Sequence, residues 1–155
     1  MEKNDSLNQV AAFHHAFGHP VLSSPTIPSQ DRAALRVRLL QEELNELIKG
    51  IDENDIVQVA DALCDIQYVL SGAILEFGLG EKFKALFDEV QRSNMSKACR
   101  NMKEAEETIA HYAKQGEDAY YKQKNELYFV YRRSDNKTLK NIHYSPADLS
   151  GIIGA

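Results

Sequence analysis

Residues 59–70 read VADALCDIQYVL, among the least polar stretches of the chain, and yet they carry Asp61 and Asp65. Spaced four apart, the two carboxylates share one face if the stretch is helical. Around them Val57, Leu63, Ile66, Val69, Leu70, Ile74, Leu75 and Phe77 occupy the whole circumference, with Ala60, Ala62, Cys64 and Ala73 between. A helix apolar on every side is a central, buried one, and the pattern predicts such a helix from about 55 to 77. Its polar exceptions Gln58, Asp61, Asp65 and Glu76 fall on one arc. Aspartate is a poor helix former, and desolvating a charge costs several kcal/mol. Something must therefore compensate the pair. Either a structural cation such as Arg36 does so, or a bound one.

The preceding segment, DRAALRVRLLQEELNELIKGI, predicts a helix from Asp31, a plausible cap, to about Ile51. At 100° per residue Leu40, Leu44, Leu47, Ile48 and Ile51 form a core stripe, while Arg38, Gln41, Asn45 and Lys49 face solvent. A third line begins with Leu35 and Leu39 and continues as Glu42, Glu43 and Glu46. Taken alone, an EExxE pattern reads first as a solvated acidic edge. The short DEND turn makes the two helices antiparallel neighbours. Counted outward from it, Glu46 stands level with Asp61 and Asp65, so five carboxylates can converge. Left bare they would repel one another and raise their own pKa values. Oxygen ligands without His or Cys select a hard ion, Mg²⁺, with Mn²⁺ as a substitute. None of the five histidines stands three residues after a Glu, which discounts a ferritin-like di-iron site.

Two further helices are legible. One runs from about 5 to 17 and closes at Gly18, before a proline-rich loop. The other covers about 81 to 102, and helical character continues through KEAEETIAHYAKQ. On the fourth helix the stripe Phe83, Leu86, Phe87, Val90 continues at helical spacing into Asn94 and Lys97. A lysine there either snorkels outward or joins the amide as a phosphate contact, with a metal bridging other phosphate oxygens. No Gly-rich phosphate loop is present to do that work instead. In the tail, ELYFVYRR and SDNKTLK flank an Asp-Asn turn and predict a small hairpin from about 126 to 140. The expected organisation is all-α: a four-helix domain over 1–115, then a C-terminal extension over 116–155 holding the hairpin.

The 155 residues suffice for one sizeable core. Net charge is −5, from 23 acids against 18 Lys plus Arg, which argues against nucleic acid as a partner. No apolar run approaches the ~18 residues of a membrane span, and the N-terminus lacks a signal-peptide pattern. Cys64 and Cys99 match no metal spacing and read as reduced thiols. A cytoplasmic protein, without membrane attachment, is expected.

The stretches EELNEL, DALCDIQYVLSGAILEFG and EVQRSNMSK together resemble the MazG-like all-α NTP pyrophosphatase superfamily. They are most similar to its phosphoribosyl-ATP pyrophosphohydrolase-like branch, over roughly residues 10–100. The resemblance implies Mg²⁺-dependent cleavage of a nucleotide between its α and β phosphates, in a homodimer or homotetramer with sites near subunit interfaces. It implies Glu42 and Glu43 as catalytic acids, Glu43, Glu46, Asp61 and Asp65 as metal ligands, and Asn94 and Lys97 as phosphate contacts. No organic cofactor is implied. The superfamily's second acidic motif is usually Glu-x-x-Asp, but Ala62 stands three before Asp65, and Asp61 is the available substitute. That departure keeps a second reading open, a nucleotide-binding or scaffolding bundle without catalysis. Tyr68, beside both aspartates, reads as core.

Overall fold

The computed structural model describes residues 5–154 and divides into two compact units, between Phe83 and Lys84. The first holds three helices: α1 (Ser6–Phe17), α2 (Gln30–Asp52) and α3 (Ile56–Glu76). Helix α1 ends where expected, because Gly18 takes a left-handed conformation at φ 71° and His19 N–H bonds back to His14 O. Helix α2 starts one residue earlier than predicted. Ser29 holds the cap position without a side-chain bond, and Asp31 lies in the first turn, where a negative charge suits the helix dipole. Asn54 turns the chain at φ 52°, and the Asp55 carboxylate caps α3 by accepting from Val57 and Gln58 N–H. Helices α2 and α3 then pack antiparallel, and at Gly50 an added Cβ would lie 3.0 Å from Val59 N.

The loop 19–29 is stitched to the end of α3 by backbone bonds from Leu22 N–H to Leu75 O and from Thr26 N–H to Phe77 O. Gly78 has φ 66°, and a Cβ on it would lie 1.9 Å from Ser24 O, so only glycine fits.

Helix α3 is not buried throughout. Its last turns are: Ser71, Gly72, Ile74, Leu75 and Glu76 are all buried. Its first turns are open, with Ile56 77% and Leu63 51% exposed. The stripe of α2 predicted as core is likewise open, with Ile48 50% and Ile51 60% exposed. The spacing is helical as expected, but α1 and α2, the elements of this unit that pack on α3, leave its first turns and part of the α2 stripe open.

The second unit contains α4 (Phe83–Met95), α5 (Met102–Ala113), β1 (Ala119–Lys124), β2 (Leu127–Arg132) and a short α6 (Ser150–Ile153). Helix α4 stops at Met95, seven residues before the predicted end. Cys99 and Tyr128 exchange two backbone hydrogen bonds, which a helical Cys99 could not do. Asn101 then caps α5, accepting from Glu104 N–H while Glu104 accepts from Arg100 N–H.

The hairpin is present but shifted. Strand β2 pairs antiparallel with β1, which precedes it, across a turn at Asn125–Glu126. The Asp135–Asn136 turn forms too, and returns the chain to make a single bridge between Thr138 and Tyr131. The core of this unit joins Cys99, Ala105, Ala119, Val130 and Leu139, with Ile109 and Tyr121 packed against it. No single described helix is long and apolar enough to cross a membrane.

Candidate active site

Glu42, Glu43 and Glu46 of α2 and Asp61 and Asp65 of α3 lie close enough for the charges of the other four to act on Glu43. Glu46 and Asp61 line one cleft of about 350 Å³ together with Lys49 and Gln58. Glu43 and Asp65 lie deeper and are half-buried, whereas Glu42, Glu46 and Asp61 are exposed. Partial desolvation pushes the Glu43 carboxyl above its ordinary pKa, and the charges of Asp65, Glu46, Glu42 and Asp61 push it further. Among the described residues, none of the five makes a hydrogen bond or an ion pair with a cation. Their donor set, carboxylate oxygen alone, suits a hard divalent ion. As they stand, no three His, Cys, Asp or Glu among the described residues are drawn together closely enough to hold one.

Arg36, the alternative partner for the aspartates, is committed elsewhere. With Arg32 it forms ion pairs to Glu76, which is fully buried. Arg32 Nε lies 3.1 Å from Glu76 Oε2. Burial alone would raise the Glu76 pKa, but hydrogen bonds from Arg36 and Arg32, and their charge, hold it below the usual carboxylate range. His14 completes this cluster, with Nδ1 2.9 Å from Pro20 O and Nε2 beside Arg36. Gly72 makes room for it: a Cβ there would lie 2.7 Å from the Arg36 guanidinium and 3.0 Å from the His14 ring. Glu76 shares an arc with Asp61 and Asp65 in the sequence, yet its environment is opposite to theirs.

Ala62 is 2% exposed, so a glutamate at that position would be driven into packed structure rather than toward the cleft. Asp61 lines the cleft instead. Two features escaped sequence reading. Lys49, assigned to the solvent face, lines the cleft beside Glu46 and Asp61; its position seven residues from Glu42 and three from Glu46 was the available signal. Tyr68, read as core, is 40% exposed. It meets Phe13 edge-on at 5.6 Å and lines a second cleft of about 260 Å³ with His19, Arg32 and Arg36. That cleft also includes Leu39 and Val69, each one helical turn from an acid, Glu43 and Asp65 respectively.

In the second unit, Asn94 lies in the last turn of α4 and Lys97 just beyond it, and the lysine Nζ donates to Asn94 Oδ1 at 2.8 Å. The two predicted phosphate contacts are therefore neighbours, and the lysine is half-buried rather than fully extended into solvent.

The first unit is thus a helix pair, α2 and α3, flanked by α1 and carrying a row of carboxylates that makes no ion pair among the described residues. The family described as phosphoribosyl-ATP pyrophosphohydrolase matches residues 10–94, and the chain belongs to that family. It is also 30% identical, over 104 residues, to a protein of Acanthamoeba polyphaga mimivirus described as uncharacterized protein L479. The match covers 64% of this chain and 41% of that relative, so the chain spans well under half of the relative's length.

Proposed function

We propose that the chain is a Mg²⁺-dependent nucleoside triphosphate pyrophosphohydrolase, releasing a nucleoside monophosphate and pyrophosphate. The observation that carries this reading is the raised Glu43 pKa amid four further carboxylates with no cationic partner. Family membership makes pyrophosphohydrolase chemistry the coarse expectation. Glu43, Glu46, Asp61 and Asp65 would hold the ion. The exposed members make no hydrogen bond or ion pair, so rotamer changes can bring them onto it without breaking such a contact. When bound there, Mg²⁺ supplies Lewis-acid charge to the phosphate oxygens.

The chain's own groups do the rest. Glu42 or Glu43 accepts the proton of the attacking water, and the raised proton affinity of Glu43 suits that task. Lys97 and Asn94, neighbours in the second unit, are the groups there suited to phosphate oxygens. The aromatic cleft of Phe13, His19 and Tyr68 is wide and apolar enough to receive a base. Release of pyrophosphate from canonical, deoxy and modified triphosphates and from phosphoribosyl-ATP, with Mg²⁺ or Mn²⁺, tests the reading. Turnover on none of them would sink it, and metal-dependent thermal stabilisation by nucleotide without product would favour a binding bundle instead.

The assembly belongs to the same proposal. Val37, Leu44 and Ile51 of α2, and Ile56, Leu63 and Leu70 of α3, recur every seven residues and are exposed. A stripe of this spacing suits a second copy of the chain, as homodimer or homotetramer. Sedimentation as a stable 17.5 kDa monomer at micromolar concentration contradicts this.

A further inference from the structure

The net charge of −5 conceals an uneven distribution. The first 83 residues hold 13 acids and 6 Lys plus Arg, whereas residues 84–155 hold 10 acids and 12 Lys plus Arg. Residues 119–140, the hairpin and its return, are the extreme, with 6 Lys plus Arg against 2 acids. Whole-chain charge is therefore a poor guide to what this segment attracts.

The hairpin register sorts its side chains into two faces. Ala119, Tyr121, Tyr128 and Val130 pack into the core of their unit. The opposite face is formed by the cross-strand pairs Tyr120–Tyr131, Lys122–Phe129 and Lys124–Leu127. The two tyrosine rings lie 5.7 Å apart and tilted by 32°. The Lys122 ammonium stands 5.6 Å over one ring and 5.7 Å over the other, and the Arg133 guanidinium 5.1 Å over Tyr120. Lys122, Lys124, Arg133 and Lys137 are exposed, and the rings between them half-exposed. Aromatic rings interleaved with flexible cations on an open ribbon match what single strands require: π-faces for bases and charges for the phosphates between them. A duplex offers no free base faces, and an acidic peptide would use the cations but leave the rings idle.

We propose that the outer face of the hairpin, with Tyr120, Phe129 and Tyr131 flanked by Lys122, Lys124 and Arg133, binds single-stranded nucleic acid. Lys122 and Arg133 lie over the rings in the free protein and swing onto phosphates as bases take their place. None of these residues belongs to the acid set proposed for hydrolysis, and the two readings fail independently.

The test is fluorescence anisotropy of the full chain with labelled oligothymidylate and oligouridylate of about fifteen nucleotides, titrated across salt. Three cationic contacts predict a log–log salt slope near −2.1, about a twenty-fold loss of affinity between 50 and 200 mM salt. The double variant Lys122→Glu/Lys124→Glu should lose at least about tenfold, with melting temperature and pyrophosphate release unchanged. Phe129→Leu should weaken binding to these oligomers more than to an abasic strand of equal length. Absence of binding at low salt, equal binding of the abasic strand, or preference for an acidic peptide overturns the proposal.

Discussion

One helix pair, α2 and α3, holds carboxylates at both of its ends and treats them oppositely. At the end remote from the turn, Glu76 is fully buried and held by Arg32 and Arg36, with His14 packed alongside. Toward the turn, Glu42, Glu43, Glu46, Asp61 and Asp65 act on one another's charge, and among the described residues none of them forms an ion pair. The first arrangement lowers a carboxyl pKa and the second raises one. Buried ion pairs are retained once formed because removing either partner strands the other. A row of like charges without an ion pair gives the fold nothing, which makes it the candidate place for function.

The comparison breaks most visibly at Glu76. Glu76→Gln leaves Arg36, 7% exposed, facing a neutral amide, and should cost about 3–5 kcal/mol in chemical denaturation. A loss below about 1 kcal/mol would mean that the cluster is not structural. A smaller loss is expected for Gly72→Ala. The added methyl meets the Arg36 guanidinium and the His14 ring, and should cost about 1–3 kcal/mol through displacement of both.

Acid sharpens the contrast within the paired end. Burial lowers the His14 pKa below its ordinary 6.5, so the unfolded chain takes up that proton first. Stability from His14 is complete above pH 6.5 and is lost as pH falls toward the folded value. Glu76, with a lowered pKa, contributes above its ordinary 4.5 and loses that contribution as pH falls further. Melting temperature should therefore decline in two stages on acidification. In a His14→Gln variant the upper stage should disappear, and its persistence would assign it to another group.

Much of this contrast was legible beforehand, and the reasons for the misses are physical. Local signals placed α1, α2 and α3 to within a residue or two, because Gly18, Asn54 and Asp55 act on their own neighbours. The end of α4 was not legible: its apolar spacing continues past Met95, and what stops it is pairing with Tyr128, far along the chain. The hairpin partner was missed because AYYKQK turns half its residues to solvent and reads as polar. Amphipathic spacing marked Leu44, Ile48 and Ile51 as apolar on one face, but spacing cannot say whether the cover is this chain or another copy. At the site, the line of acids was legible from helix angles alone. The separate fate of Glu76 was not, since it depends on Arg32 and Arg36 arriving opposite one particular turn of α3.

The open end is tested most directly by melting wild type and Asp65→Asn, each in EDTA and in excess Mg²⁺. If the acids are held for a cation, the substitution removes one repulsive charge, and the variant in EDTA is at least as stable as wild type. Mg²⁺ then raises the wild-type melting temperature and leaves the variant nearly unmoved. A variant strongly destabilised in EDTA, beside a wild type indifferent to Mg²⁺, would contradict the account.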